Sequence, residues 1–165
     1  MNLTAKLSDL MDALYFDSPE HVTRFDRQAA RLVTVERSVL SAVEEGDEET
    51  LASLPSWQQE EVETARAIVN DCGDRFIGAP DKFDFHEYHH MERFIGTVSE
   101  ERTADDLWRA IKGRGAFRHF KDTLHRLEIE EQWYRYRDEA VARFVIDWAE
   151  VHNVPFEDDT KGRGK

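Results

Sequence analysis

The stretch HEYHH has a spacing of residues that could bind zinc. It contains the pattern H-E-x-x-H at His86, Glu87 and His90. On a helix, two histidines four residues apart share one face and can both ligate zinc, while the glutamate acts on a metal-bound water. Arg93 and Gly96 stand where the extended form of the motif has glycine and histidine, so a further ligand must come from elsewhere. A zinc-dependent hydrolase is one alternative, and a helix with histidines near its surface is the simpler interpretation.

A second stretch, KGRGAFRHFKD at residues 112–122, could bind an anion. On a helix that advances about 100° per residue and continues past this stretch, four basic or titratable side chains of residues 114–125 fall on one face, beside an apolar stripe. These are Arg114, Arg118, Lys121 and His125. The side chains of His119 and Arg126 point elsewhere on such a helix. Arginines in this arrangement can grip a phosphate or a carboxylate with two hydrogen bonds.

The two glycines of the same stretch strengthen the anion-binding hypothesis. Gly113 and Gly115 leave the backbone uncovered where the helix is expected to begin. The start of a helix presents unpaired N–H groups and the positive end of the helix dipole, and both favour anions. Further along, WYRYRDE places Arg135 and Arg137 between aromatic rings, a composition that suits nucleic-acid stacking.

The same residues allow plainer interpretations. The glycines can form an ordinary turn between two helices, and the arginines can pair with the many acids of this chain. A helix, a glycine turn and a basic helix also resemble a DNA-binding helix-turn-helix, which tolerates glycine in its turn. No basic arm or dimerisation feature accompanies that pattern, and the acidic net charge is awkward for a DNA-binding protein.

Nucleophilic catalysis has little support in the sequence. The single cysteine, Cys72, lies between Asp71 and Asp74, and nearby carboxylates raise the pKa of a thiol and weaken the thiolate as a nucleophile. No G-x-S-x-G, Walker A or G-x-G-x-x-G pattern occurs. We therefore predict no catalytic residue and no cofactor, and we expect a binding protein rather than an enzyme.

Most of the chain has the patterns of helices. Helices are predicted near residues 3–13, 35–47, 54–74, 84–98, 103–112, 116–127 and 130–153. Ser56, Asp84 and Thr103 are the expected N-caps, Gly46 closes the second helix, and Gly113 suits a left-handed residue after a helix. The last helix has the widest apolar face and should be well buried.

The elements near the N-terminus include the one predicted hairpin. Residues 21–35 alternate apolar and polar side chains on both sides of a short polar link, which predicts a β-hairpin. Residues 76–82 are expected to form a loop or a short extended piece. The sequence therefore predicts a predominantly helical α+β protein with a small N-terminal hairpin. We expect one globular domain over residues 1–157 and a disordered tail over residues 158–165.

The charge is distributed unevenly. The net charge is −13, which opposes non-specific nucleic-acid binding because such binding depends on cations that contact phosphates. Residues 109–143, however, hold nine Lys or Arg against six Asp or Glu, a local net charge of +3. The acidic segments at residues 44–50 and 60–63 offer a different interaction, an acidic surface for a basic protein partner.

The chain has the composition of a protein from a reducing compartment. One cysteine excludes an intramolecular disulfide, and the first residues lack the apolar run of a signal peptide. No stretch approaches the eighteen apolar residues that a membrane span requires. We expect a cytoplasmic location and no membrane association.

Three motifs carry a resemblance to a known family. The segments GRGAFRHFKD, WYRYRDEA and PDKFDFHEYHHMERF resemble a bacterial family of small acidic proteins, uncharacterised protein family 0158 of the UPF series. The resemblance extends over about residues 5–153. The family typically has arginine at the position of His119 and lacks a histidine at that of His90. It implies a cytoplasmic α+β protein and no particular substrate.

The leading functional hypothesis is a binding or regulatory protein. Its ligand would be an RNA, a nucleotide or an acidic protein segment. The expected binding residues are Arg114, Arg118, Lys121, His125, Arg135 and Arg137. The zinc hydrolase at His86 and His90 and the acidic interaction module are the alternatives from other functional classes.

Overall fold

The structure is a computed structural model, which describes residues 3–16 and 18–160. The chain forms two compact units. The first unit comprises the described parts of residues 1–81 and 145–165, and the second comprises residues 82–144. Our expectation of one domain over residues 1–157 stays a prediction, because two compact units of one chain can fold together or separately.

The first unit combines two small sheets with helices. Its strands are β1 (Ala5–Lys6), β2 (His21–Asp26), β3 (Arg31–Glu36), β4 (Phe76–Gly78) and β5 (Phe156–Glu157). Its helices are α1 (Leu7–Tyr15), α2 (Arg37–Glu45), α3 (Glu48–Ser53) and α4 (Gln59–Asn70), with a 3-10 turn at Ser56–Gln58. Val22 and Val35 of the sheet pack with Val39, Val62 and Ala65 of α2 and α4 in a buried cluster.

The predicted hairpin is present as β2 and β3, paired antiparallel with Val22 opposite Val35 and Phe25 opposite Leu32. The sequence did not predict its extension. Residues 76–78 add β4 to the other side of β2, so the strand order is β3-β2-β4. A run of three residues is too short to show a period of two, which is why the sequence indicated only a loop or an extended piece.

An ion pair with a buried carboxylate joins β2 to the residue before β4. Asp26 is only 3% exposed, and its two oxygens each accept a hydrogen bond of 3.0 Å, from Nε and Nη2 of Arg75. The N–H groups of Gln28 and Ala29 donate to the same carboxylate. Burial alone would raise the pKa of Asp26, but the hydrogen bonds from Arg75 and from the two N–H groups hold it below its ordinary value.

The two ends of the described chain meet in a second sheet that the sequence did not predict. Strand β1 pairs in parallel with β5, and helix α1 then begins at Leu7 rather than at residue 3. Asp159 accepts hydrogen bonds from the backbone N–H and the hydroxyl of Ser8, at 2.9 and 2.5 Å. Asp159 belongs to the predicted tail, of which residues 161–165 fall outside the described residues.

The helix ends follow the sequence signals in part. Gly46 ends α2 in the left-handed conformation, at φ 70°, as predicted. The prediction that Ser56 caps α4 is wrong, because Ser56 lies in the 3-10 turn and the helix begins at Gln59. The sequence also missed α3, which Asp47 caps by accepting a hydrogen bond from the N–H of Thr50.

The second unit is helical in its described residues. Its elements are α5 (Lys82–Phe85), α6 (Glu87–Thr97), α7 (Glu101–Ala110), α8 (Ala116–Arg126) and the larger part of α9 (Glu130–Val151), which ends in the first unit. Its core contains Met91, Phe94, Ile95, Leu107, Ile111, Phe120, Leu124 and Trp133. Thr103 lies inside α7, which begins at Glu101, so the prediction that Thr103 is the N-cap is wrong.

These elements confirm the predicted class, a predominantly helical α+β protein with a small N-terminal hairpin. In the part of the chain that the structure describes, no helix combines the length and the apolar character needed to cross a bilayer.

Candidate anion-binding site

The turn between α7 and α8 depends on two glycines in the left-handed conformation. Gly113 has a φ of 87° and Gly115 a φ of 73°, values that a residue with a side chain adopts only at a cost. Gly113 follows α7, as its position in the sequence predicted. Ile111 is buried in this turn, and its carbonyl accepts a hydrogen bond of 3.0 Å from the Tyr88 hydroxyl. The turn is therefore held to α6 as well as to its two flanking helices.

His119 lies directly over this turn. A Cβ atom placed on Gly115 would approach its ring at 3.2 Å from Cδ2 and 3.3 Å from Nε2. The N–H of His119 donates to the carbonyl of Gly115 at 2.9 Å, so the first turn of α8 is closed there. Gly115 thus serves two purposes, since it permits the backbone conformation and leaves room for the imidazole.

An open cleft of about 350 Å³ lies between α7 and α8, with His119 in its wall. Four cationic side chains line it from three elements. They are Arg109 on α7, Lys112 and Arg114 in the turn, and Arg126 on α8. Asp106 and Thr123 complete the polar lining. With neutral histidine, the lining carries four positive charges and one negative charge.

The single carboxylate of the cleft is shared. Asp106 contacts Arg126 at 3.5 Å and Arg109 at 4.0 Å, and both arginine side chains are largely exposed, at 63% and 78%. Ion pairs this long and this exposed are weak. Lys112 and Arg114 form no ion pair with any residue in the ranges 3–16 and 18–160. The cleft therefore keeps a net positive charge that the described protein does not neutralise.

The structure separates the stripe predicted on α8. Helix α8 begins at Ala116, where the predicted helix over residues 116–127 begins, and Arg114 belongs to the preceding turn, so its placement in a helical stripe with Arg118 is wrong. Arg118 and Lys121 are exposed on α8 but do not line the cleft. His125 Nδ1 lies 2.5 Å from Glu130 Oε1, at the other end of the helix. Of the predicted stripe, only Arg114 contributes to the cleft.

The two arginines predicted on the last helix have different environments. Arg135 is exposed on α9, whereas Arg137 is only 17% exposed and forms an ion pair with Glu87 of α6. Arg137 therefore joins two helices of the second unit. The six predicted residues are not brought together at one site, and whether they bind a ligand stays a prediction.

Sequence reasoning missed most of the cleft. His119, Thr123 and Arg126 lie at spacings of four and three residues, so they share a face of α8 distinct from that of Arg118 and Lys121. Arg109 is in the last turn of α7. The available signal was the left-handed glycine turn, which reverses the chain and sets the end of α7 against this face. The helical period of one segment alone cannot show which neighbour a face meets.

The histidines of the H-E-x-x-H pattern do not share one helix. His86 is left-handed, with a φ of 55°, and α6 begins after it at Glu87. This break also overturns the predicted helix with Asp84 as its cap, because Asp84 lies in the separate helix α5. The ring of His90 stacks on Phe85 at 4.2 Å, and burial, followed by the charge of Arg93, lowers its pKa.

The residues that the structure describes contain no group of three or more His, Cys, Asp or Glu side chains placed to hold a metal ion. The zinc hydrolase stays an untested alternative that this geometry does not favour.

The comparisons with known proteins define the family. The profile of an uncharacterised protein family, UPF0158, matches residues 50–161, and the chain belongs to this family. The match includes the whole cleft and begins later than the resemblance we expected from residue 5. A stretch of 65 residues, 39% of the chain, is 31% identical to UPF0158 protein PA5073 of Pseudomonas aeruginosa and covers 42% of that protein. No solved structure matches the chain.

Proposed function

We propose that this protein binds the phosphate groups of an RNA or a nucleotide in the cleft between α7 and α8. The observation that carries the proposal is that Arg109, Lys112, Arg114 and Arg126 line one cleft, in which Asp106 contacts two of them. Guanidinium groups bind phosphate with paired, charge-assisted hydrogen bonds, and a phosphate would supply the negative charge that the cleft lacks.

The lining favours recognition of phosphate over recognition of bases. Among the residues that the structure describes, the imidazole of His119, which lies against Gly115, is the one aromatic ring that lines the cleft. Base-stacking sites use exposed aromatic faces, so this cleft would tolerate any base. The cleft is open to solvent, which is compatible with a phosphate on a long chain as well as on a small molecule.

The neighbouring surface distinguishes the two sources of phosphate. Arg118 and Lys121 are exposed on α8, outside the cleft. A mononucleotide in the cleft would not need them, whereas successive phosphates of an RNA strand could contact them. Over residues 109–126 the chain holds six Lys or Arg and one Asp, so the local charge is strongly positive although the whole chain is at −13. Because the rest of the protein repels a polyanion, we expect a short footprint, and the affinity should fall with salt in proportion to the few phosphates that the cleft contacts.

The proposal can be tested with two pairs of charge reversals. Arg114→Glu with Arg126→Glu changes the cleft, and Arg118→Glu with Lys121→Glu makes the same change of charge outside it. Binding of a labelled single-stranded RNA of about 12 nucleotides and of ATP would be measured by fluorescence anisotropy and calorimetry at about 50 and 200 mM salt. We expect the cleft variant to lose affinity for both probes by at least about tenfold.

The control variant decides between the sources of phosphate. A loss confined to RNA in the Arg118→Glu, Lys121→Glu variant indicates a strand that extends over α8, and no loss indicates a mononucleotide. Equal losses for all probes in both variants would refute a site in the cleft. Tighter binding of a polyglutamate peptide than of either probe would show that the ligand is an acidic protein segment.

We also propose that this binding takes place in the cytoplasm. The proposal rests on the single cysteine, Cys72, which is free and exposed. An exposed thiol without a partner cysteine suits a reducing compartment. Cell fractionation followed by detection of the protein would test this, and recovery from an oxidising compartment would contradict it.

A further inference from the structure

The outer edge of the hairpin sheet is open. In the order β3-β2-β4, strand β3 pairs with β2 on one side and with no described strand on the other. An edge of this kind presents backbone N–H and C=O groups that can pair with another extended chain. This surface lies in the first unit and is independent of the cleft between α7 and α8.

The register identifies the backbone groups that face outward. The N–H of Arg37 donates to the carbonyl of Glu20 at 2.7 Å, so these two residues form a bonded pair. Val35 and Val22 are the pair two residues further along in the same register. Bonded pairs alternate along an antiparallel ladder, so Val35, Val33 and Arg31 bond to β2. By the same alternation, the backbone groups of Glu36, Thr34 and Leu32 point away from β2.

One of these three positions is already occupied. The N–H of Glu36 donates to the side chain of Glu61 on α4. The backbone groups of Thr34 and Leu32 form no hydrogen bond with the residues in the ranges 3–16 and 18–160. The open part of the edge is thus the stretch around Thr34 and Leu32, where two N–H and two C=O groups are available.

A groove of about 700 Å³ runs along this edge. Its walls include Leu32, Val33 and Thr34 of β3, Phe16 after α1, and Trp57 in the 3-10 turn. Trp57 is 72% exposed and Phe16 is 58% exposed, unusually high values for large apolar rings. Exposed aromatic side chains beside an unpaired edge are features of a binding surface rather than of a core.

The groove is acidic. Glu36, Glu60 and Glu61 line it, and Arg31 is the one arginine or lysine among the lining residues that the structure describes. A second copy of this chain is a poor occupant, because pairing two β3 edges would bring together two surfaces that each carry a net negative charge. A strand that carries lysine or arginine would instead be attracted to them.

We infer that the β3 edge binds an extended, lysine- or arginine-rich segment of a partner protein by adding it to the sheet as a fourth strand. Backbone hydrogen bonds to Thr34 and Leu32 would align the segment. Apolar residues between its basic residues would cover Trp57 and Phe16. Glu60 and Glu36 would attract its cations, while Glu61 continues to accept from the N–H of Glu36.

The inference can be tested with a synthetic probe. The probe is a labelled peptide that alternates lysine and valine over about seven residues, a usual strand length. Fluorescence anisotropy should show binding that weakens as salt rises, and a glutamate–valine peptide should not bind. Two further lysine–valine peptides carry N-methyl groups, one on the odd and one on the even amides. Alternate amides of a strand point to opposite sides, so only one of the two sets faces β3. The peptide that is methylated on that set should not bind, and the other peptide should bind.

Matched variants of the protein test the same contacts. Thr34→Pro removes an outward N–H without breaking the bonds between β3 and β2, and it should abolish peptide binding. Glu60→Lys should weaken binding by about fivefold or more. Glu63→Lys makes the same change of charge on an exposed residue of α4 that does not line the groove, and it should have a much smaller effect.

Three results would overturn the inference. The first is equal binding of both N-methylated peptides. This comparison uses the wild-type protein, so it remains decisive even if the Thr34→Pro variant does not fold. The second is equal weakening by Glu60→Lys and Glu63→Lys, which would indicate attraction by net charge alone. The third is sedimentation of the wild type as a dimer that Thr34→Pro dissociates, which would make a second copy the occupant.

Discussion

Asp26 and Asp106 are both carboxylates in contact with arginine, yet they serve different purposes. Asp26 is buried, and Arg75 matches both of its oxygens at 3.0 Å. Asp106 is 34% exposed and is shared between Arg109 at 4.0 Å and Arg126 at 3.5 Å. One carboxylate is fully satisfied by the chain, and the other leaves its arginines largely free.

The difference shows why composition alone does not identify a binding site. Both regions offer the same residue types, but burial and geometry decide what the charges do. A buried carboxylate that an arginine binds through both oxygens, with further backbone donors, is part of the scaffold. A half-buried carboxylate in a cleft with four cations, by contrast, leaves charge for a ligand to neutralise. The following predictions are ordered from the largest expected effect to the smallest.

Loss of the scaffold pair should have the largest effect. We expect Arg75→Gln to lower the free energy of unfolding by about 2 kcal/mol, because it leaves the buried carboxylate of Asp26 with its backbone donors but without its cation. Arg126→Gln in the cleft should change it by less than about 0.5 kcal/mol, since that ion pair is exposed. Urea denaturation followed by circular dichroism measures both. Equal losses of unfolding free energy in the two variants would mean that the two ion pairs stabilise the fold to the same extent.

The glycines of the turn should come next. Gly113→Ala and Gly115→Ala should each cost about 1 kcal/mol, because both residues are left-handed. Only Gly115→Ala should move the imidazole of His119, since no atom of the described residues lies within 4 Å of a Cβ on Gly113. Thermal denaturation gives the cost, and the NMR signals of His119 report the ring. A shift of these signals in Gly113→Ala alone would contradict the described contact.

Removal of the shared carboxylate should strengthen the cleft. We expect Asp106→Asn to raise the affinity for the phosphate probes by about threefold, because it removes the internal competitor of the ligand. Asp106→Glu keeps the charge and serves as the control. Calorimetry with ATP measures the change. A loss of affinity in Asp106→Asn would show that Asp106 positions the arginines for the ligand rather than competing with it.

The smallest expected effect is the change of the unfolding free energy with pH. The folded pKa of Asp26 lies below its ordinary value of 3.8, so its contribution to stability is present above that pH and is lost as pH falls through the folded pKa. The difference in unfolding free energy between wild type and Arg75→Gln should therefore narrow as pH falls below 3.8 and through the folded pKa of Asp26. Urea denaturation at a series of acidic pH values tests this. A constant difference would mean that the carboxylate of Asp26 does not account for the effect.

Local signals predicted much of the fold. Alternation over residues 21–35 predicted the hairpin, Gly46 the end of α2 and Gly113 the left-handed turn after α7, and all three are confirmed. These features depend on neighbours in the chain. The pairing of β1 with β5 joins residues about 150 positions apart over only two residues, which is too short for any periodic pattern.

The candidate site was only partly visible in the sequence. The segment around residues 112–122 was the right place, and Arg114 contributes to the cleft. The assumption that one helix runs through Arg114 placed it with Arg118 and Lys121. The break at His86 is a similar case, because a left-handed non-glycine residue between two helices has no reliable local signal.

The sequence by itself determined the helical and hairpin elements, the uneven charge and the glycine turn, because each depends on residues close together in the chain. Only the tertiary structure decided which charges are neutralised. Asp26 meets Arg75 from 49 positions away, and Arg126 meets Asp106 from 20 positions away. Such partners are chosen by the packing of apolar faces, which brings distant residues together and sets how much water remains between them.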